Sequence, residues 1–539
     1  MCPEASQPVW SRRAFLSRAG FGGLAAASLT ALSARPAAGA MEQNAKLVIT
    51  WSSFDTMDPH VKQDVSAAAF NLNIYDNLVR YQGNPPEIVP WLAESHAVSN
   101  DGKTWTFSLR QGVQFHDGSE VNAEAVRFSF ERLLTLGKAP SAIFKRMGLT
   151  PEKVRAIAPY TVEIQLERSF GPFLETIPTV SIVNPAVITA QAENGDWAEK
   201  WLLQNAAGCG AFQLIKADPA TGFTMTRFLG YWRGWEGQHV ETVEVRIIRE
   251  QSSRVLALMK GDVHYIETLL GPDQLEKLEK HPRVKVSREE SMRMFVIRMH
   301  NQREPFTDIN VRKAFSHAFN YESFITDMMK GRVARNPVPI PRPLWGYPKE
   351  VVGYEYSLDK AKAYLAKAQI KITRPIDIYV QAPNEPTVQA ALLLQSDLAQ
   401  LGIELRIVKT LFTSIVAATK TVESTPDMWI HWISTYFVDP ENWIGEMYDS
   451  ANGGTWKASS WYNNPQVDAL LRQARSLIDR EARAKLYADA CHLLLEDAPD
   501  LWVYNTYEYV PLAKTVQGFR FCLVGSGQDF WPVYFDGRA

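Results

Sequence analysis

The chain has 539 residues, 46% of them hydrophobic, 22% charged and 11% aromatic, which is ample for a large buried core and excludes wholesale disorder. Lysine plus arginine number 57 against 59 aspartate plus glutamate, a net charge of −2, so there is no basic excess to hold a polyphosphate backbone and no nucleic-acid partner is expected. Four cysteines are too few for a disulfide scaffold.

At the N-terminus, Ser11-Arg12-Arg13-Ala14-Phe15-Leu16 leads into an apolar Ala/Gly/Leu-rich stretch over 19–34 that ends at Ala38-Gly39-Ala40. This reads as a cleavable export signal over residues 1–40, cut after Ala40. The paired arginines followed by Phe-Leu resemble the twin-arginine signal. The apolar stretch is shorter than the roughly 20 residues of a membrane span, and no cysteine follows it to take a lipid. A periplasmic protein that does not span the membrane, and a monomer, is expected. Cleavage leaves 53 basic and 58 acidic residues, a net charge of −5, and three cysteines, Cys209, Cys491 and Cys522. An odd number permits one bridge at most, Cys491 with Cys522 being one pairing left open. All three read as small buried hydrophobes.

In the mature chain a strand at Leu47–Ile49 precedes Ala68, Phe70, Ile74, Tyr75 and Leu78, whose spacing predicts a helix face. Val98, Trp105, Phe107, Leu109, Val113 and Phe115 mostly alternate with polar residues around the turn Asn100-Asp101-Gly102-Lys103, a hairpin pattern that Asp117-Gly118 repeats. A helix over Ala123–Leu136 and a strand over Thr161–Leu166 complete an α+β block. Past the Gly208-Cys209-Gly210 joint, 211–216 and 223–229 form a hairpin, Val240–Ile248 a strand and Gln251–Lys260 a helix.

The pattern restarts near Met294 with strand Phe295–Met299, helix Asn310–Met329, a Pro-rich stretch 337–348, helix Asp359–Ala368 and strand Ile376–Gln381. Asn464-Pro465 supplies a cap and a first-turn proline for a helix whose face is Val467, Leu470, Leu471, Ala474, Leu477 and Ile478. A second face follows at Leu486, Ala490, Leu493 and Leu494. No 20–50-residue period recurs. The reading is a large two-lobed α/β protein.

Taken in order, Asp58-Pro59-His60, Asn73-Ile74-Tyr75-Asp76-Asn77-Leu78, Pro90-Trp91-Leu92-Ala93-Glu94-Ser95, Phe115-His116-Asp117-Gly118, Pro305-Phe306-Thr307-Asp308, Asp439-Pro440 and Glu496-Asp497-Ala498-Pro499 resemble the family 5 extracellular solute-binding proteins. These are the dipeptide-, oligopeptide- and nickel-binding components of ABC importers. The resemblance covers about 45–510 and implies a type II, cluster C-like periplasmic-binding-protein clamp with an additional small α+β domain. Carried onto this chain, domain I takes 41–77, 201–293 and 509–539, domain II 78–200 and domain III 294–508. Implied partners are a peptide-like, opine-like or oligosaccharide solute and an inner-membrane ABC permease with its ATPases. Neither catalysis nor a cofactor is implied.

Aligned on Asp439-Pro440, Tyr436 takes the place where peptide-binding members carry an aspartate for the α-ammonium. Asp64 and Glu385 are possible substitutes. Five tryptophans, Trp429, Trp432, Trp443, Trp456 and Trp461, fall close together, and some are expected to line a cleft while others fill the core. By alignment to cleft positions, Phe412, Trp432 and Tyr436 are assigned to stacking on the solute, Gln63, Ser434 and Asn505 to hydrogen bonding, and Tyr504 to the same cleft. Ten scattered histidines, His300 and His431 nearest the cleft segments, give no metal-ligand spacing, and no metal is expected. A secreted hydrolase or a peptide-holding chaperone would be the rival, but GxSxG, HExxH and P-loop signatures are absent from the mature sequence.

Overall fold

The computed structural model describes residues 46–62, 65–267, 270–381, 385–522, 524 and 528–536; the export signal, Gln63 and Asp64 lie outside them. β1 (Lys46–Trp51) is followed by the Val65–Ile74 helix. Tyr75 and Leu78 fall outside that helix, and a hairpin follows, β2 (Val79–Gln82) with β3 (Glu87–Pro90).

β4 (Ala93–Val98), β5 (Thr104–Leu109), β6 (Val154–Ala158) and β7 (Thr161–Gln165) then form an antiparallel sheet in the order β4-β5-β7-β6. Its first turn carries Gly102 at φ 70°, a left-handed value that a side chain disfavours. Asp117-Gly118 closes only a single bridge, Gln114 to Glu120. The Ala123–Leu136 helix forms where its spacing predicts. Asn122 caps it by accepting the Ala125 N–H, and Gly137 ends it in the left-handed conformation. Val126, Phe130 and Leu133 from this helix share a core with Trp105, Phe107 and Phe173.

The next strands are β8 (Phe212–Asp218), β9 (Gly222–Arg227), β10 (Thr242–Ile247), β11 (Tyr265–Ile266), β12 (Val284–Met299), β13 (Val333–Arg335), β14 (Ile376–Gln381), β15 (Leu405–Thr410), β16 (Met428–Ile433) and β17 (Asp500–Ala513). With β1 they build one 11-stranded sheet, β15-β14-β16-β12-β17-β11-β1-β10-β9-β8, with β13 added on β17. β1 is parallel to β10 and β11 at one end, and β14 is parallel to β15 and β16 at the other. β12 and β17 run antiparallel through both. Val284–Glu290 pairs with Tyr507–Ala513, Met294–Arg298 pairs with Asp500–Asn505, and the ladder shifts register between Glu290 and Met294.

Two half-sheets are thus joined by two crossing strands, each with its own cores. Leu47, Ile49, Val243 and Val510 centre one, while Phe295, Ile378 and Ile430 sit on one face of the other half and Met294, Val296 and Ile433 on its opposite face. This is the two-lobed α/β clamp, with the β4–β7 unit beside it.

The expected helix Asn310–Met329 is broken. It runs Ile309–Ala318, and Asn320 then caps a new turn by accepting the Ser323 N–H. The Asn464-capped helix stops at Ser476, leaving Ile478 41% exposed, because Asp479 caps the next helix, Arg480–Asp497. Cys209 and Cys491 are buried, Cys522 half-buried, and all three are free thiols. Among the described residues no helix is long and apolar enough to cross a membrane.

Candidate functional site

Ligands of open α/β sheets gather at the carboxyl ends of parallel strands, where connections diverge. Both half-sheets point those ends at the crossing strands. Met294 pairs with Ile433 and Met299 with Met428, so β16 ends beside the register shift in β12. From the other side, Ile49 pairs with Tyr265 and Tyr265 with Leu512, so β1 and β11 run toward the same break. Just beyond them the Ser52 N–H donates to the Glu267 carboxylate at 2.9 Å.

Strand alternation places Ser291, Arg293 and Phe295 of β12 on one face with Tyr504, Thr506 and Glu508 of β17. The contacts agree: the Thr506 hydroxyl donates to Ser291 Oγ at 3.0 Å, and the Phe295 and Tyr504 rings stack 4.8 Å apart. The Arg293 guanidinium lies 5.2 Å from the Trp432 ring centroid and in the field of Glu508, Tyr504 and Tyr436. Its Nε is buried without a hydrogen-bond partner, and among the described residues no carboxylate stands within ion-pair distance of it, Glu508 acting from farther off. Burial pushes its pKa down, yet a guanidinium stays charged. The Glu508 carboxylate offsets part of the cost of burying this charge, and the side chain is half-buried. A solute carboxylate brought to this guanidinium would add a second opposing charge to that of Glu508.

The wall beside this floor is the end of β16 and the segment after it. Trp432 is half-buried, its ring edge-on to Phe295 at 5.0 Å. Asn442 holds the following turn by donating to the Ser434 carbonyl at 3.0 Å and accepting the Tyr436 N–H at 3.4 Å. The Lys457 ammonium sits 4.4 Å from the Tyr436 ring centroid and is itself paired with Glu446, which also pairs with Arg146 of the α+β unit.

Of the residues singled out from sequence, Trp432, Tyr436 and Tyr504 lie in the surroundings of Arg293, and the Ser434 carbonyl is held by Asn442 in the turn between Trp432 and Tyr436. Tyr504 is buried in the stack with Phe295. Asn505 is buried and engaged, accepting the Arg342 N–H at 3.0 Å and donating to the Arg293 carbonyl at 3.4 Å, so it anchors the floor. Phe412 lies against Trp429 and Trp456; alternation puts Trp429 on the opposite face of β16 from Trp432. Trp429 and Trp443 are core residues.

Glu385 is exposed at the start of its helix and accepts a hydrogen bond from Gln389. His431 stacks on Trp429 at 3.9 Å and accepts from Arg298 Nε. Burial and that arginine keep its pKa well below the usual range. The His300 ring bonds the Val422 carbonyl. Among the described residues no three His, Cys, Asp or Glu side chains converge as metal ligands.

The motif Asp58-Pro59-His60 is a joint. Arg132 binds both Asp58 oxygens and the His60 ring, tying the β1 loop to the α+β helix. Arg293, Glu508 and Glu267 escape the sequence reading.

The family described as bacterial extracellular solute-binding proteins, family 5 Middle, matches residues 87–455. The probable D,D-dipeptide-binding periplasmic protein DdpA of Escherichia coli K12 is 31% identical over 475 residues, 86% of this chain and 89% of that protein. The dipeptide-binding protein of the same organism is 29% identical over 84% of this chain and 87% of its own. Among solved structures, the Helicobacter pylori periplasmic binding protein DppA in complex with the peptide STSA superposes with a TM-score of 0.79 at 26% identity, covering 92% of this chain and 99% of that one.

Proposed function

The chain belongs to the bacterial extracellular solute-binding proteins of family 5, which bind solutes rather than transform them, and from that premise we propose that it captures a small peptide-like or opine-like solute bearing a carboxylate. The clamp works in the periplasm and hands its load to an inner-membrane ABC permease. Domain I is assigned to 41–77, 201–293 and 509–539, domain II to 78–200 and domain III to 294–508, in keeping with the separate cores of the two half-sheets and the α+β unit.

One observation carries the ligand class: Arg293, lying over Trp432 with no ion pair among the described residues. A neutral oligosaccharide would offer that guanidinium no opposing charge beyond Glu508, so it ranks behind a carboxylate. The dipeptide ligands named for relatives in the family agree with a peptide-like backbone. Tyr436 in the place of the family's aspartate argues that the amino group is not read there, which favours solutes whose amine is substituted, as in an opine, over unmodified dipeptides. Trp432 and Tyr436 stack on the solute, with Ser434 and Gln63 as hydrogen-bonding partners.

Calorimetry on the mature chain with a dipeptide, its C-terminal amide, its N-acetyl derivative, an N-carboxyalkyl amino acid and a neutral trisaccharide tests this. Binding is expected for carboxylates and lost on amidation. In Arg293→Met, affinity should fall by about a hundredfold, the order of one truncated charged contact. Equal binding of the amide or the trisaccharide would overturn the reading.

A further inference from the structure

On the other face of β12 from Arg293, Met292 borders a cavity of about 880 Å³. Met292 and Met294 belong to the core that contains Tyr81 and Leu344, whereas Phe295 and Tyr504 belong to the core on the opposite face. None of Arg293, Trp432, Tyr436 or Glu508 lines the cavity. It lies between the β2–β3 turn, residues 85–88, with Leu174 and Glu175 on one side, and the loop 342–347 with Lys349 and Arg480 on the other. The size suits a small organic molecule.

The lining is amphipathic. Pro85, Pro86, Leu344 and Tyr347 offer flat apolar surface around Trp345, whose indole Nε1 is buried without a hydrogen-bond partner. Three cations stand at the 342–349 side. Arg480 opens the Arg480–Asp497 helix with its guanidinium 4.7 Å from the Trp345 ring centroid, and among the described residues it has no ion pair. Lys349 likewise has none. The Arg342 guanidinium donates to the Arg335 carbonyl at 3.3 Å. The acids are Glu87, exposed, and Glu175. Burial and the neighbouring Asp439 push Glu175 up to about 7, so near neutrality it is partly protonated and repels an anion less. Tyr81 is occupied, its hydroxyl donating to the Glu175 carbonyl and accepting the Val438 N–H.

We propose that this cavity is a second small-molecule site, separate from the solute cleft, which takes a flat aromatic carboxylate. The ring system lies on Trp345 and the prolines, the carboxylate faces Arg480 and Lys349, and the indole N–H finds an acceptor. Because the two sides belong to the β2–β3 hairpin and to the Arg480–Asp497 half of the molecule, an occupant braces them together.

The probe is naphthalene-2-carboxylate, titrated into the full mature chain by calorimetry and tryptophan fluorescence, with naphthalene-2-carboxamide as its uncharged twin. One probe per chain is expected. Binding should weaken by about tenfold in Lys349→Glu/Arg480→Glu, both surface positions, several-fold in Trp345→Phe, which keeps the ring and loses the donor, and by less than about twofold in Arg293→Met. Equal affinity for the carboxamide, an unaffected double variant, or loss of binding in Arg293→Met would overturn the second site; the last outcome would place the probe in the solute cleft.

Discussion

Tyr436 and His60 each hold a position where a single atom's charge decides behaviour. Lys457 lies 4.4 Å from the centroid of the Tyr436 ring and is already bonded to Glu446 and Asn442, so an acid placed at 436 has a cation beneath it and stays ionised. In Tyr436→Asp, the ratio of affinities for a free-amine dipeptide over its N-acetyl derivative should rise by about tenfold, the worth of one added charge contact near 1.4 kcal/mol. An unchanged ratio, read by competition calorimetry, would mean the solute's amino end lies elsewhere.

His60 is fully buried, and its pKa falls to about 4 chiefly through burial and then through Arg132. The folded chain therefore binds fewer protons at this site than the unfolded chain between about pH 6.5 and 4, and stability is lost as pH falls through that window. Urea denaturation of His60→Gln should show a pH slope shallower by up to about 1.4 kcal/mol per unit there; an identical slope would mean His60 takes its proton without cost.

Among the elements, the Gly208-Cys209-Gly210 joint packs backbone on backbone. A Cβ at Gly208 would stand 2.0 Å from the Ile74 carbonyl oxygen, and one at Gly210 2.5 Å from that of Asn73. Neither neighbour is a flexible side-chain tip. Gly208→Ala should cost about 3 kcal/mol or more by denaturant titration, whereas Cys209→Ala, which removes only a small buried group, should cost less than half of that. Parity between the two would show that the helix end can move aside.

That joint was legible because glycines interrupt an otherwise apolar run. Capped or strictly periodic segments were equally plain: Ala123–Leu136, Gln251–Lys260 and Ile376–Gln381 match residue for residue. The first half of β12 was not, since Lys285-Val286-Ser287-Arg288-Glu289-Glu290 carries too little alternation to read as a strand and becomes one only by pairing with β17. Arg293 and Glu508 share one face of β12 and β17 solely through that pairing. Their faces could not be assigned from sequence, while Trp432 and Tyr436 were singled out by their place ahead of a recognisable Asp-Pro.

At the scale of the whole molecule, the half-sheets share only β12 and β17 as continuous strands, and the ladder is interrupted where they cross, so closure must be held by contacts outside the sheet. Tyr81 makes one of them. Its hydroxyl accepts the Val438 N–H at 2.9 Å and donates to the Glu175 carbonyl at 2.6 Å, pinning the segment that carries Tyr436 to the β2–β3 hairpin. Tyr81→Phe keeps the ring in its core and strands both backbone groups, a loss on the order of 1–3 kcal/mol.

Because a solute that needs both walls binds only the closed population, its apparent dissociation constant rises as that population falls. If the closed form outweighs the open one by less than that loss, affinity in Tyr81→Phe should drop several-fold, and small-angle scattering should find the unliganded variant more expanded than the parent yet equally compact once saturated. A lower melting temperature with unaltered affinity and scattering would assign the tyrosine to stability alone and leave closure to other contacts, first among them the Arg146–Glu446 pair.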